Sequence, residues 1–184
     1  MNPLQFKQYD ANSDAYLSTS KHFEDGKQVT RNYLRVSVRA KGVFKTFFGS
    51  SGAEKCLIYI SAIRPVESGR AGQDRLFDAR PISWPPNKQF AARHIPRGIT
   101  MFANVVTMKQ GLLGWNFHVP DHYGLESVRS HPGPLLLRVT ATAENAAPKS
   151  IEIEASIKAD FSGFEARLRG PQNIRWARVY RIPR

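Results

Sequence analysis

A chain of 184 residues with 41% hydrophobic side chains has room for one domain with a sizeable core, and is too apolar for a disordered segment. Its net charge of +12 and pI near 10.2 point to anionic partners: nucleic acid, an anionic membrane surface or an acidic protein. The longest apolar runs fall far short of the roughly 20 residues of a membrane helix, no secretory leader pattern opens the chain, and one cysteine excludes an internal disulfide, so the cytoplasm is the expected compartment.

Proline and glycine punctuate the chain too often for long amphipathic helices, and alternation with a period of two replaces them. The run PLQFKQY sets Leu4 and Phe6 on one face of a short strand. In NYLRVSVRA, Leu34, Val36 and Val38 should point inward and Arg35, Ser37 and Arg39 outward. EKCLIYISAI reads as a strand buried on both faces, with Cys56 in the core. Residues 64–98 are proline-rich and weakly periodic, which predicts an elaborated loop with one short strand near ISW. GITMFANVVTMKQ follows the turn IPRG, and LGWNFHV is expected to pair with it. PLLLRVTATAEN and KSIEIEASIK form the clearest hairpin: Leu135, Leu137, Val139 and Ala141 share one face, and Ile151, Ile153, Ala155 and Ile157 continue it.

About seven short strands between turn signals predict an all-β, antiparallel sandwich with long loops. A small closed barrel is the next choice. The expected division is a sandwich domain over 1–163 followed by an arginine-rich strand or tail over 164–184.

The segments YLRVSVRAKG, AEKCLIYISAI, IPRGITMFANVV and GPLLLRVTATAENAAP together resemble a bacterial immunoglobulin-like domain of uncharacterised function. The resemblance spans about residues 3–158 and implies the sandwich fold, without catalytic residues. Members often follow membrane helices; this sequence has none, so attachment does not carry over. The chain also inserts FKTFFGSS between Gly42 and the strand that begins Ala53-Glu54-Lys55-Cys56.

Charge is concentrated in two regions. Residues 31–70 hold 8 basic and 2 acidic groups, and residues 164–184 hold 6 and 1. Lys41 and Lys45 flank the basic loop 39–55, and Arg167, Arg169, Arg175, Arg178 and Arg181 surround Trp176 and Tyr180 near the end of the chain. Arginine with interleaved aromatics is the composition of a single-strand nucleic-acid surface, and equally that of a solvated face or a tail docked on another subunit. Phe44, Phe47 and Phe48 crowd one loop and, with Trp84, are candidates for contact with a partner protein. Trp84 and Trp115 also suit core or edge plugs.

Catalytic motifs are weak. His118, Asp121 and His122 lie close in sequence but match no zinc spacing, so no metal is expected and an exposed or capping role is favoured. The GSSG loop lacks the Gly-Lys-Ser/Thr ending of a nucleotide cradle. The sequence therefore reads as a non-catalytic binding or assembly module acting through contacts with another protein, one encoded nearby being a candidate. No cofactor is expected and oligomeric state is left open. Nucleic-acid binding through loop 39–55 and the arginine-rich end is the alternative, and a hydrolase built on the His/Asp group is the weaker one.

Overall fold

In a computed structural model, residues 4–6, 17–40, 52–67, 70–71, 80–84, 90–119 and 125–169 are described. In chain order the strands are β1 (Leu4–Phe6), β2 (Leu17–Glu24), β3 (Lys27–Ala40), β4 (Ala53–Glu67), β5 (Arg70–Ala71), β6 (Arg80–Pro81), β7 (Arg93–Ile95), β8 (Thr100–Lys109), β9 (Asn116–Phe117), β10 (Leu135–Ala143), β11 (Ala146–Ile157) and β12 (Phe164–Arg169). One helical turn, α1 (Glu126–Arg129), separates β9 from β10. No helix among the described residues is long and apolar enough to cross a membrane.

The strands form two antiparallel sheets. In the first, β3 pairs with β8 on one side and with β1 and β2 end to end on the other, and β9 pairs antiparallel with the far edge of β8. In the second, the order is β12-β11-β10-β4, and β5, β6 and β7 return along the free edge of β4. The region expected to be a loop over 64–98 thus supplies the end of β4 and three short strands among its described residues.

Local chemistry explains the hairpins. Asp25 and Gly26 join β2 to β3 with φ of 49° and 74°. Left-handed backbone at both positions gives a turn whose twist matches that of the paired strands. Leu34, Val36 and Val38 are fully buried, as are Leu135, Leu137, Val139 and Ala141 of β10. Ser37, expected to face outward, lies opposite Phe102 and is only 1% exposed.

Two bulges shift the alternation. The β4–β10 register slips so that Ser61 has no partner of its own, and Ile60 and Ile63 are both fully buried on either side of it. The β3–β8 register slips at Val105 in the same way, which buries both Val105 and Val106.

Backbone bonds tie the sheets together laterally. The Ile82 amide donates to the Ile58 carbonyl at 2.7 Å, and the next amide, Ser83, donates to the His118 carbonyl at 3.1 Å. Past β7, the Gly98 amide reaches the Ala40 carbonyl at 2.9 Å. At one end of the sandwich, Trp115 stacks on Phe164 at 5.6 Å between centroids and 28° between planes, joining the approach to β9 with the start of β12. The Trp115 indole N–H donates to the His131 carbonyl at 2.9 Å.

Candidate binding face on the first sheet

Alternation along β3 sends Arg31, Tyr33 and Arg35 away from the core. Register then places Ser18 opposite Tyr33 and Ser20 opposite Arg31 on β2, and Thr107 and Lys109 opposite the same two residues on β8. The outer face of the first sheet is therefore centred on Tyr33.

Its ring has a neighbour on each side. His22 lies 6.3 Å away between centroids and tilted 55°, and His118 lies 6.1 Å away and tilted 40°. The Arg35 guanidinium sits 5.5 Å from the ring centre, within cation–π range. The Ser20 and Tyr33 hydroxyls lie 2.6 and 2.9 Å from His22 Nε2. Arg35 Nε donates to Asn104 Oδ1 at 3.1 Å. Burial pulls the Arg35 guanidinium below its ordinary value and Tyr33 partly opposes this; the group stays cationic at neutral pH.

At the hairpin end of this face, Arg31 is paired with Glu24, and Lys109 lies 3.7 Å from the same carboxylate. The Arg31 hydrogen bond is the main cause of a Glu24 carboxyl held below its ordinary value. Arg31 Nε is nevertheless buried without an acceptor among the described residues. Two adjoining hollows of about 390 and 350 Å³ open here and share Arg31 and Asn116 in their walls. The first is rimmed by Lys109, Leu112, Leu113 and Arg129, and the second by His22, Tyr33, Phe90 and His118.

The outer face of the second sheet is different: its charges answer one another. Arg138 Nε and Nη2 donate to Glu152 Oε1 at 3.2 and 2.7 Å. Arg167 Nη2 donates to Glu154 Oε1 at 2.6 Å, and Arg169 clasps the other oxygen. Ser61, Thr140 and Ser150 hydroxyls form a ladder with steps of 2.9 and 2.8 Å. Arg167 and Arg169, candidates for nucleic-acid contact, are thus engaged by a carboxylate on the neighbouring strand.

The remaining sequence candidates fall as follows. Trp84 is fully buried, and among the described residues its indole N–H has no acceptor, so it presents no contact surface. His118 is half-buried, with the Thr107 hydroxyl against Nε2 and the Ser83 hydroxyl 3.3 Å from Nδ1; it holds β8, the end of β9 and residue 83 together. Cys56 is fully buried, and desolvation pushes its thiol up to about 12, the reverse of an activated nucleophile. Among the described residues no three His, Cys, Asp or Glu side chains group to hold a metal ion. Lys41, Phe44, Lys45, Phe47, Phe48, Asp121, His122, Arg175, Trp176, Arg178, Tyr180 and Arg181 lie outside the described residues.

Sequence reading gave Arg35 its outward position but did not single out Tyr33, His22 or Arg31. The Asp25-Gly26 pair was the available signal for a hairpin that would bring β2, and with it His22, beside β3. The chain matches no protein-family model, no curated protein and no solved structure.

Proposed function

We propose that this chain is an immunoglobulin-like sandwich serving as a non-catalytic binding module for a partner protein, with the outer face of the first sheet as its contact surface. The two antiparallel sheets and the β10–β11 hairpin support the fold reading. The carrying observation is the contrast between the two outer faces. Arg138, Arg167 and Arg169 of the second sheet are paired with that sheet's own Glu152 and Glu154, whereas the first sets Tyr33, with the Arg35 guanidinium over its ring, beside an open hollow. Tyrosine and arginine are the side chains that anchor protein interfaces, because each combines large contact area with polar tips.

Crosslinking and native purification from source cells, with the wild-type chain and a Tyr33→Ser/Arg35→Ser variant as baits, test this. A defined partner should be retained by the first and lost by the second. Identical recoveries from both baits would sink the reading.

The nucleic-acid alternative draws on one feature of the same face, the Arg35 guanidinium over the Tyr33 ring with His22 and His118 beside it. Such a platform stacks bases while cations meet phosphates. It predicts binding of a labelled poly-dT strand that weakens steeply between about 50 and 200 mM salt and is abolished by Tyr33→Ser. Binding that ignores Tyr33 would count against it.

A further inference from the structure

Few large apolar side chains are exposed on the described surface, and three of them gather at one end. Phe23 is 78% exposed, Leu112 56% and Leu113 43%. The β2–β3 hairpin outruns its neighbour: β8 stops pairing with β3 at Lys109, opposite Arg31, so residues 21–28 overhang the sheet. Phe23 stands on that overhang, opposite Gln28. The chain leaving β8 turns beside it. The Gln110 amide donates to the Thr30 carbonyl at 2.9 Å, Gly111 takes φ 81°, and the two leucines follow. A third turn joins them, because the Gly111 amide donates to the Phe161 carbonyl between β11 and β12 at 3.1 Å.

Cations surround these tips. Lys21, Lys27, Lys109 and Lys158 are exposed, and Arg31 and Arg129 are half-buried. Of the carboxylates nearby, Glu24 is held by Arg31 and Lys109, and Asp160 accepts the Ser162 amide at 2.9 Å; Asp25 sits at the hairpin turn. Water-exposed leucines on turns add little to a core, and several exposed apolar side chains at one end of a molecule mark a contact. The buried Trp115 and Met108 lie deeper in the adjoining hollow, while the three exposed side chains stand at its rim and on the overhang. Projecting apolar tips ringed by lysine fit a surface that needs no matching shape.

We infer that this end of the sandwich seats on an anionic phospholipid membrane, with Phe23, Leu112 and Leu113 entering the interfacial layer and the surrounding lysines and arginines meeting lipid phosphates. Interfacial binding grows with the apolar area inserted and with attraction to anionic headgroups. The chain's +12 charge adds long-range steering toward such a surface. The inference does not depend on the protein-partner reading, since Tyr33 and Arg35 are not among the inserting groups.

The test is co-sedimentation of the full chain with phosphatidylcholine vesicles and with vesicles containing roughly one-third phosphatidylglycerol. The anionic vesicles should pellet the wild type and the neutral ones should not. Leu112→Ser/Leu113→Ser should lower partitioning by about tenfold or more without moving the thermal transition, because both side chains are exposed. Depth is read separately. Cys56 is the only cysteine and is fully buried, so Leu113→Cys takes an environment-sensitive fluorophore selectively. Its emission should shift to the blue on anionic vesicles, in the Tyr33→Ser/Arg35→Ser background as well. Absent pelleting, equal pelleting with neutral vesicles, or pelleting indifferent to the leucines with no emission shift would each overturn the inference. So would a Leu112→Ser/Leu113→Ser variant that loses a protein partner while the wild type ignores vesicles.

Discussion

Replacing Phe164 by alanine should be among the most damaging single changes in the chain. Phe164 is 4% exposed, opens β12 opposite Ile157, and stacks on Trp115, which is itself 1% exposed. The pair is a side-chain contact between the two sheets, so truncation removes apolar burial and leaves a cavity where they meet. Burial and cavity terms for a phenylalanine, with the lost ring contact included, give about 4 kcal/mol. For a chain of this length that corresponds to a fall of about 12 °C in Tm. Urea unfolding followed by far-ultraviolet circular dichroism should show a lower midpoint at unchanged slope. Phe164→Leu, which keeps most of the volume, should lose only about 1.5 kcal/mol. A double-mutant cycle with Trp115→Leu should return a coupling of about 1 kcal/mol. A loss below about 1 kcal/mol for Phe164→Ala would refute the claim that this ring is packed between the sheets.

Three further outcomes separate other contributions. Gly52 has φ 91°, and a Cβ there would meet the Ile95 carbonyl oxygen at 2.2 Å, whereas Gly26 has φ 74° and nothing within 4 Å. Gly52→Ala should therefore cost on the order of 3 kcal/mol and Gly26→Ala about 1 kcal/mol; equal losses in urea unfolding would contradict the close approach of β7. Asn32, 7% exposed, donates from Nδ2 to the Ser162 carbonyl at 2.9 Å and accepts from the Thr19 hydroxyl at 2.8 Å. Asn32→Leu takes the donor from the Ser162 carbonyl and the acceptor from the Thr19 hydroxyl and should cost about 2 kcal/mol, with faster amide exchange across residues 158–163; unchanged exchange would argue against the tie. Burial works to raise the Glu154 carboxyl, but hydrogen bonds from Arg167 and Arg169 outweigh it and hold the group below its ordinary value of 4.5. The stability this carboxylate contributes is full above that value and is lost as pH falls through the depressed folded one. Glu154→Gln should thus flatten the acid limb of a stability–pH curve, and parallel acid limbs for the two proteins would exclude the linkage.

Period-two alternation is local, which is why the sequence alone placed Leu34, Val36 and Val38 in the core and matched Leu135–Ala141 with Ile151–Ile157 across a hairpin. The pairing of Asn116–Phe117 with β8 was legible for the same reason: both runs are apolar and only a short turn separates them. Three features escaped it. The bulges at Ser61 and Val105 change which side chains face inward, yet each is defined against a partner strand that a single run of residues does not contain. The composition around Arg167 and Arg169 suggested free cations; only the β11–β12 register sets both beside Glu154. His118 was expected in an exposed or capping role; it is half-buried, and its ring is met by the hydroxyls of Thr107 and Ser83, 11 and 35 residues away along the chain, which its sequence neighbourhood does not reveal. Alternation thus determined which faces are apolar and which polar. Register decided which polar groups satisfy one another and which, around Tyr33 and at the exposed leucine turn, are left facing outward.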